Sequence, residues 1–332
     1  MSKMVLDLLA AVPAPVTFVI GVVALLAGGR WLVEGAVKIA LDLGISTLLI
    51  GLTVVAFGTS APELFFNVTA AVSGQGELSF GNVVGSNIAN ITLVLGLSSL
   101  LAPLVVMSRV IKKELPQLIA VTAGMLFLAW LPGRDAATFG RVDGLIMLAC
   151  FATFAWLWIR LGRRDRKDPL AAEAETDVGS GPSSTTLAIV FLILGLAMLL
   201  GGAKCTEVGA VGIAEMLEIP SSVVGLTIVA LATSLPEVVT SVIAARRGHG
   251  DLAVGNVVGS NLFNILLVLG ATSVVADVPV PQPWGWWDLG VMLGVTLLLL
   301  PMAMTNQRRI TRPEGIVLVA CYAGYMIFTV VR

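Results

Sequence analysis

Residues 51–63 read GLTVVAFGTSAPE, and residues 225–237 read GLTIVALATSLPE. Each leads into a second shared string, GNVVGSNIANI at 81–91 and GNVVGSNLFNI at 255–265. The stretches 51–100 and 225–274 align without a gap at an offset of 174 residues, and 29 of the 50 paired positions are identical. Agreement that dense marks an internal duplication. Both first strings end on an acid, Glu63 and Glu237, set in apolar sequence.

The surroundings of the repeat fix the class. Of 332 residues, 57% are hydrophobic and only 12% are charged, against roughly a quarter charged in ordinary soluble domains. Several apolar runs are long enough to cross a bilayer. Net charge is −1, which says little where the placement of charge matters more than its sum. Cys150, Cys205 and Cys321 stand singly in apolar stretches and make neither a disulfide framework nor a metal cluster. The one histidine, His249, lies in a Gly-rich loop and reads as solvated, so no His-based metal site is expected. The first apolar span has no small-residue cleavage pattern and reads as retained.

Ten spans are predicted, near 15–38, 46–73, 78–103, 114–132, 142–162, 184–212, 220–246, 252–275, 286–305 and 313–331. The expected fold is an all-α polytopic membrane protein, ten transmembrane helices as two inverted five-helix repeats. The halves are 1–162 and 184–332, joined by a charged, then Gly/Ser/Pro-rich linker at 163–183. Weaker matches upstream (Gly28, Arg30, Gly35, Ala36 and Ala40 against Gly202, Lys204, Gly209, Ala210 and Ala214) bring spans 1 and 6 into the repeat. An odd number of spans per half makes the second copy enter from the opposite side, which inverts it. Lys38, Arg109, Lys112, Lys113, the basic run 160–167, Arg246, Arg247, Arg308, Arg309 and Arg312 fall on one set of alternate connections. The positive-inside rule puts that set and the linker in the cytoplasm and both termini outside.

Each copy reads as a helix, a break and a second helix. Pro62 and Pro236 remove backbone donors and free carbonyls one turn back. In hydrocarbon those groups need partners, and a bound cation is one. Thr59, Ser60 and Glu63, and likewise Thr233, Ser234 and Glu237, cluster along such a broken helix. In the second element Ser86 and Asn90, and Ser260 and Asn264, are four apart and share a helix face. Asn82 and Asn256 lie a turn further back, and these, with Asn87 and Asn261, read more readily as helix–helix bonds than as ion contacts. Hydroxyl, amide, carbonyl and carboxylate oxygens with no soft donor suit hard cations such as Ca²⁺ or Na⁺. Inversion brings Glu63 and Glu237 together. Their mutual repulsion is relieved by a divalent cation, by monovalent cations or by protons. Arg30 and Lys204 are expected to pair with Glu34 and Glu207.

The paired T-S-x-P-E and G-N-V-V-G-S-N segments resemble the α-repeats of the calcium/cation antiporter superfamily, the sodium/calcium exchanger family, and most closely its short prokaryotic members. That resemblance implies ion sites between spans 2, 3, 7 and 8, with spans 1 and 6 sliding past them. It implies central Ca²⁺ ligands at Glu63 and Glu237 with the carbonyls of Thr59 and Thr233. Flanking Na⁺ sites are implied at Ser60, Ser234, Ser86 and Ser260 with the carbonyls of Ala56 and Ala230, and a further polar position at Asn90 and Asn264. Many relatives carry Asp where this chain has Asn264, which lowers the site charge by one. Ala232 stands where the first copy has Gly58.

The function expected is secondary active exchange of Ca²⁺ for Na⁺ by alternating access. A Ca²⁺/H⁺ antiporter on the same fold and a cation channel are the alternatives. An intramembrane hydrolase lacks its nucleophile–base pair here. No cofactor is expected beyond the transported ions Ca²⁺ and Na⁺, with H⁺ as the rival. The remaining partners are membrane lipids, with no nucleic acid, and the chain is expected to work as a monomer in the inner membrane.

Overall fold

The computed structural model describes residues 12–131, 137–161, 182–217 and 230–331. Helices dominate. α1 is Ala14–Leu43. α2 (Thr47–Thr59) and α3 (Ala61–Val72) meet at a 42° bend. α4 (Gly76–Leu101), α5 (Leu115–Trp130) and α6 (Arg141–Leu161) complete the first half. α7 (Thr185–Met216), α8 (Ala230–Arg246), α9 (Gly250–Val275), α10 (Trp284–Met304) and α11 (Arg312–Val331) form the second.

Among the described residues seven helices are long and apolar enough to cross a membrane, eight if the bent α2–α3 pair counts as one. Two of the ten expected spans are not among these as described. The span near 114–132 is α5, which a π-helical turn at Val110–Glu114 extends at its N-terminal end with the charged Lys112, Lys113 and Glu114. The span near 220–246 is described only from Ala230, and its first part lies outside the described residues, as does most of the linker at 163–183. The described parts of the other spans appear within a few residues of their expected bounds.

Two small antiparallel strand pairs tie the halves together. β1 (Leu104–Val105) pairs with β4 (Arg309–Ile310), and β2 (Thr138–Phe139) pairs with β3 (Val278–Pro279). β1 and β3 occupy matching positions of the two copies. A second matched contact accompanies them. A Cβ on Gly250 would meet Leu104 and Val105, and a Cβ on Gly76 would meet Asp277 and Pro279.

α1 and α7 pack antiparallel along their length through glycines spaced by seven in both helices. Gly21, Gly28 and Gly35 lie against α7, and Gly195, Gly202 and Gly209 lie against α1. A Cβ on Gly28 would stand 2.7 Å from the Gly195 carbonyl oxygen, and one on Gly202 would stand 2.9 Å from that of Gly21. Only glycine admits backbones this close. At the far end of the pair Thr185 donates to Asp42 at 2.6 Å.

Candidate functional site

Four helices converge on the repeat's polar residues: α2–α3 with α4 from the first copy, and α8 with α9 from the second. The first copy breaks where expected. α2 ends at Thr59, Ser60 sits at φ −86°, ψ 2°, and Pro62 occupies the first turn of α3, where no helical N–H is required. Glu63 falls in that first turn, at the positive end of the helix dipole. The second copy differs. α8 runs unbroken from Ala230 to Arg246 with Pro236 inside it. The stiffer Ala232 in place of Gly58, with Leu231 for Phe57 and Leu235 for Ala61, accompanies the continuous helix.

Glu63 and Glu237 are both 1% exposed, and they stand close enough for the charge on Glu237 to act on Glu63. Ser60 reaches across from α2–α3, its hydroxyl 3.5 Å from Glu237 Oε1. Burial alone does not single these acids out. Glu34, Glu114, Asp143, Asp251 and Asp288 are buried as well, although Glu34, Glu114 and Asp288 fall near the ends of expected spans. Ion pairs set Glu34 and Glu114 apart from the two glutamates, whereas Asp143, Asp251 and Asp288, like Glu237, have neutral hydrogen-bond donors. Glu34 receives Arg30 at 3.0 Å and Arg247 at 2.7 Å, and Glu114 receives Arg109 at 2.6 Å. Asp143 accepts from the Gly140 N–H at 2.9 Å, Tyr325 donates to Asp288 at 3.2 Å, and Thr47 donates to Asp251. Lys204 pairs with Glu207 at 2.5 Å, so both intraspan basic residues pair as expected. Among the described residues no ion pair involves Glu63 or Glu237.

The remaining candidates divide into those drawn together and those not. Thr59 is fully buried, its hydroxyl 3.4 Å from Asn256 Oδ1 and 3.2 Å from the Val55 carbonyl. Asn90 donates to Asn261 Oδ1 at 3.0 Å, linking α4 to α9. Ser86, Ser234, Ser260 and Asn264 are buried, while Thr233 is half-buried and engaged. The Ala56 carbonyl already accepts the Ser60 N–H at 3.0 Å, so a cation there would share it. Ala230 begins α8.

Several buried oxygens of the repeat have no donor among the described residues: Glu63 Oε2, Glu237 Oε2, Asn87 Oδ1, Asn90 Oδ1, Asn264 Oδ1 and Ser260 Oγ. Native interiors leave few such groups, each costing about 1–3 kcal/mol. Unmatched hard oxygens of this kind are donors that a hard cation takes.

Sequence reading missed three things. Asn67 and Ser241, one turn after each glutamate, brace the copies differently. Ser79 donates to Asn67 at 2.8 Å, and Asn256 donates to Ser241 at 3.0 Å. Their signal was a polar residue four places beyond each acid. π-helical turns begin at Asn90 and at Asn264, and such turns carry no composition signature. His249 is buried at the start of α9 rather than solvated. Its backbone N–H bonds the Ala244 carbonyl at 2.9 Å and folds the turn inward.

Spanning helices from two copies of one motif, converging on buried carboxyls, define an ion-carrying membrane protein. Comparison with known proteins gives the family. The model of the "Sodium/calcium exchanger protein" family matches residues 13–160 and 187–331. The chain is 33% identical to the sodium/calcium exchanger MaX1 of Methanosarcina acetivorans, over 93% of this chain and 96% of that one. It is 32% identical to the inner membrane protein YrbG of Escherichia coli, over 95% of each. A solved structure of the sodium-calcium exchanger NCX_Mj superposes with a TM-score of 0.81 at 30% identity, covering 95% of this chain and 97% of that one. The chain belongs to the sodium/calcium exchanger family, a family of membrane antiporters.

Proposed function

We propose that this protein exchanges Ca²⁺ for Na⁺ across the inner membrane by alternating access, at one site shared by Glu63 and Glu237. What supports this reading is a buried carboxyl in each copy of the repeat, with the Ser60 hydroxyl of the first copy 3.5 Å from Glu237 of the second. No cationic side chain among the described residues neutralises either. Ca²⁺ would sit between the two carboxylates with the Thr59 and Thr233 carbonyls. Na⁺ would use Ser60, Ser234, Ser86 and Ser260 with the Ala56 and Ala230 carbonyls, and Asn90 and Asn264 would close the ring. The relatives named as sodium/calcium exchangers support Na⁺ as counter-ion.

The ten-span, inverted reading has geometric support. β1–β4, Thr185–Asp42, Thr47–Asp251 and Gly250 on Leu104 all join odd-numbered connections to one another. β2–β3 and Gly76 on Pro279 join even-numbered ones. A missed span would scramble that sorting. The basic connections then face the cytoplasm with the 163–183 linker, and both termini face outward. The working unit is one chain, since both half-sites lie within it.

The test is Ca²⁺ flux in proteoliposomes under a Na⁺ gradient with the pH gradient collapsed. The wild type is expected to accumulate Ca²⁺, while Glu63→Gln and Glu237→Gln are expected to abolish uptake and leave a folded, monodisperse protein. Uptake driven only by a pH gradient would replace this reading with Ca²⁺/H⁺ exchange, which the unneutralised carboxyls also permit. Flux that never runs uphill would mean a channel.

A further inference from the structure

Asn87 and Asn261 hold matching positions in the two copies, yet they are used differently. Asn261 donates from Nδ2 to the Asn87 backbone carbonyl at 3.3 Å and accepts at Oδ1 from Asn90 at 3.0 Å. The repeat demands a mirror arrangement in which Asn87 donates to the Asn261 carbonyl and accepts from Asn264. That arrangement is not made. Asn87 Nδ2 turns back to the Val83 carbonyl of its own helix at 2.7 Å. Among the described residues Asn87 Oδ1 and both amide atoms of Asn264 have no partner, although Asn87 and Asn264 are each 1% exposed.

In a transporter built of inverted repeats, the opposite conformation follows from letting each copy adopt the other's geometry. We propose that Asn87 and Asn261 are a reciprocal pair of positioning residues whose exchange of partners accompanies the change of access. In the conformation seen here Asn261 aims Asn90 and leaves Asn264 free. In the opposite one Asn87 aims Asn264 and releases Asn90, and Asn261 turns to the Val257 carbonyl as Asn87 now does to Val83. Neither amide is a ligand in this scheme. Each fixes which of the two flanking amides is presented to the ion. The inference rests on the exchange function proposed above.

The two residues then have opposite leverage. Removing Asn261 costs this conformation two hydrogen bonds and the opposite one a single bond, while removing Asn87 does the reverse. The experiment measures Ca²⁺ half-saturation separately at each membrane face, in right-side-out and inside-out vesicles, for wild type, Asn87→Ala and Asn261→Ala. A population shift raises the half-saturation at one face and lowers it at the other. The two variants are expected to shift in opposite senses, each by about two- to fivefold, the worth of one neutral hydrogen bond. The double variant is expected to return toward wild type. Asn87→Leu and Asn261→Leu keep the branched side-chain shape without its polar atoms and carry the same expectation if an alanine variant does not fold. Shifts of the same sense in both variants, or no divergence between faces, would overturn the proposal and reduce the pair to packing. A wild type without Ca²⁺ exchange would overturn the functional reading itself.

Discussion

The two GNVVGSN segments are chemically alike and structurally unequal. In α9 every residue from Gly250 to Phe263 is buried. Gly255 and Gly259 lie against the backbone of Leu48 and Leu52 in α2, so that a Cβ at either would stand 2.7–2.8 Å from a carbonyl oxygen. In α4 the matching Gly81 is exposed and Gly85 is half-buried. Identical sequence therefore does not guarantee identical burial. What surrounds a motif decides which of its groups are occupied, and a carrier that opens to each side in turn requires its two copies to be out of step.

The largest effect expected on this comparison is at the glycines. Gly259→Ala places a methyl on the α2 backbone and should cost about 1–3 kcal/mol of stability, the scale of an overpacked core. Gly81→Ala, at the exposed position that matches Gly255, should change it by no more than about 0.5 kcal/mol. Thermal unfolding in detergent compares them, and equal losses would show that both copies are clamped alike.

A smaller contrast is expected at the flanking amides. Asn90→Asp replaces the donor that holds Asn261 with a carboxylate facing the Asn261 oxygen, so maximal Ca²⁺ flux should drop severalfold. Asn264→Asp breaks no bond in this conformation and should change the dependence of Ca²⁺ flux on Na⁺, K⁺ and pH. Unchanged dependence on all three would show that the position is not coupled to the ion sites.

Much of this was legible in the residues. Offset and identity gave the repeat, and Pro62 marked the α2–α3 bend. The prediction failed where the determinant was tertiary. Pro236 does not break α8, although it has the same neighbours Ser and Glu as Pro62. His249 is buried by a turn that returns to Ala244, and the π-helical turns at Asn90 and Asn264 have no composition of their own. Glu34, Glu114 and Asp288 sit near span ends as expected but are buried with partners. Which buried acids are ion-paired, as Glu34 and Glu114 are, is a property of the packed structure. The glycine heptads of α1 and α7 were visible at 21, 28, 35 and at 195, 202, 209, and a search for period seven would have found their interface.

The central claim is that two half-sites make one. Calorimetric titration of purified protein with Ca²⁺ in Na⁺-free buffer tests it directly, comparing wild type with Glu63→Gln and Glu237→Gln. The account predicts one Ca²⁺ per wild-type chain and loss of measurable binding in each single variant. Two Ca²⁺ per chain, with one retained at unchanged affinity in each variant, would contradict it.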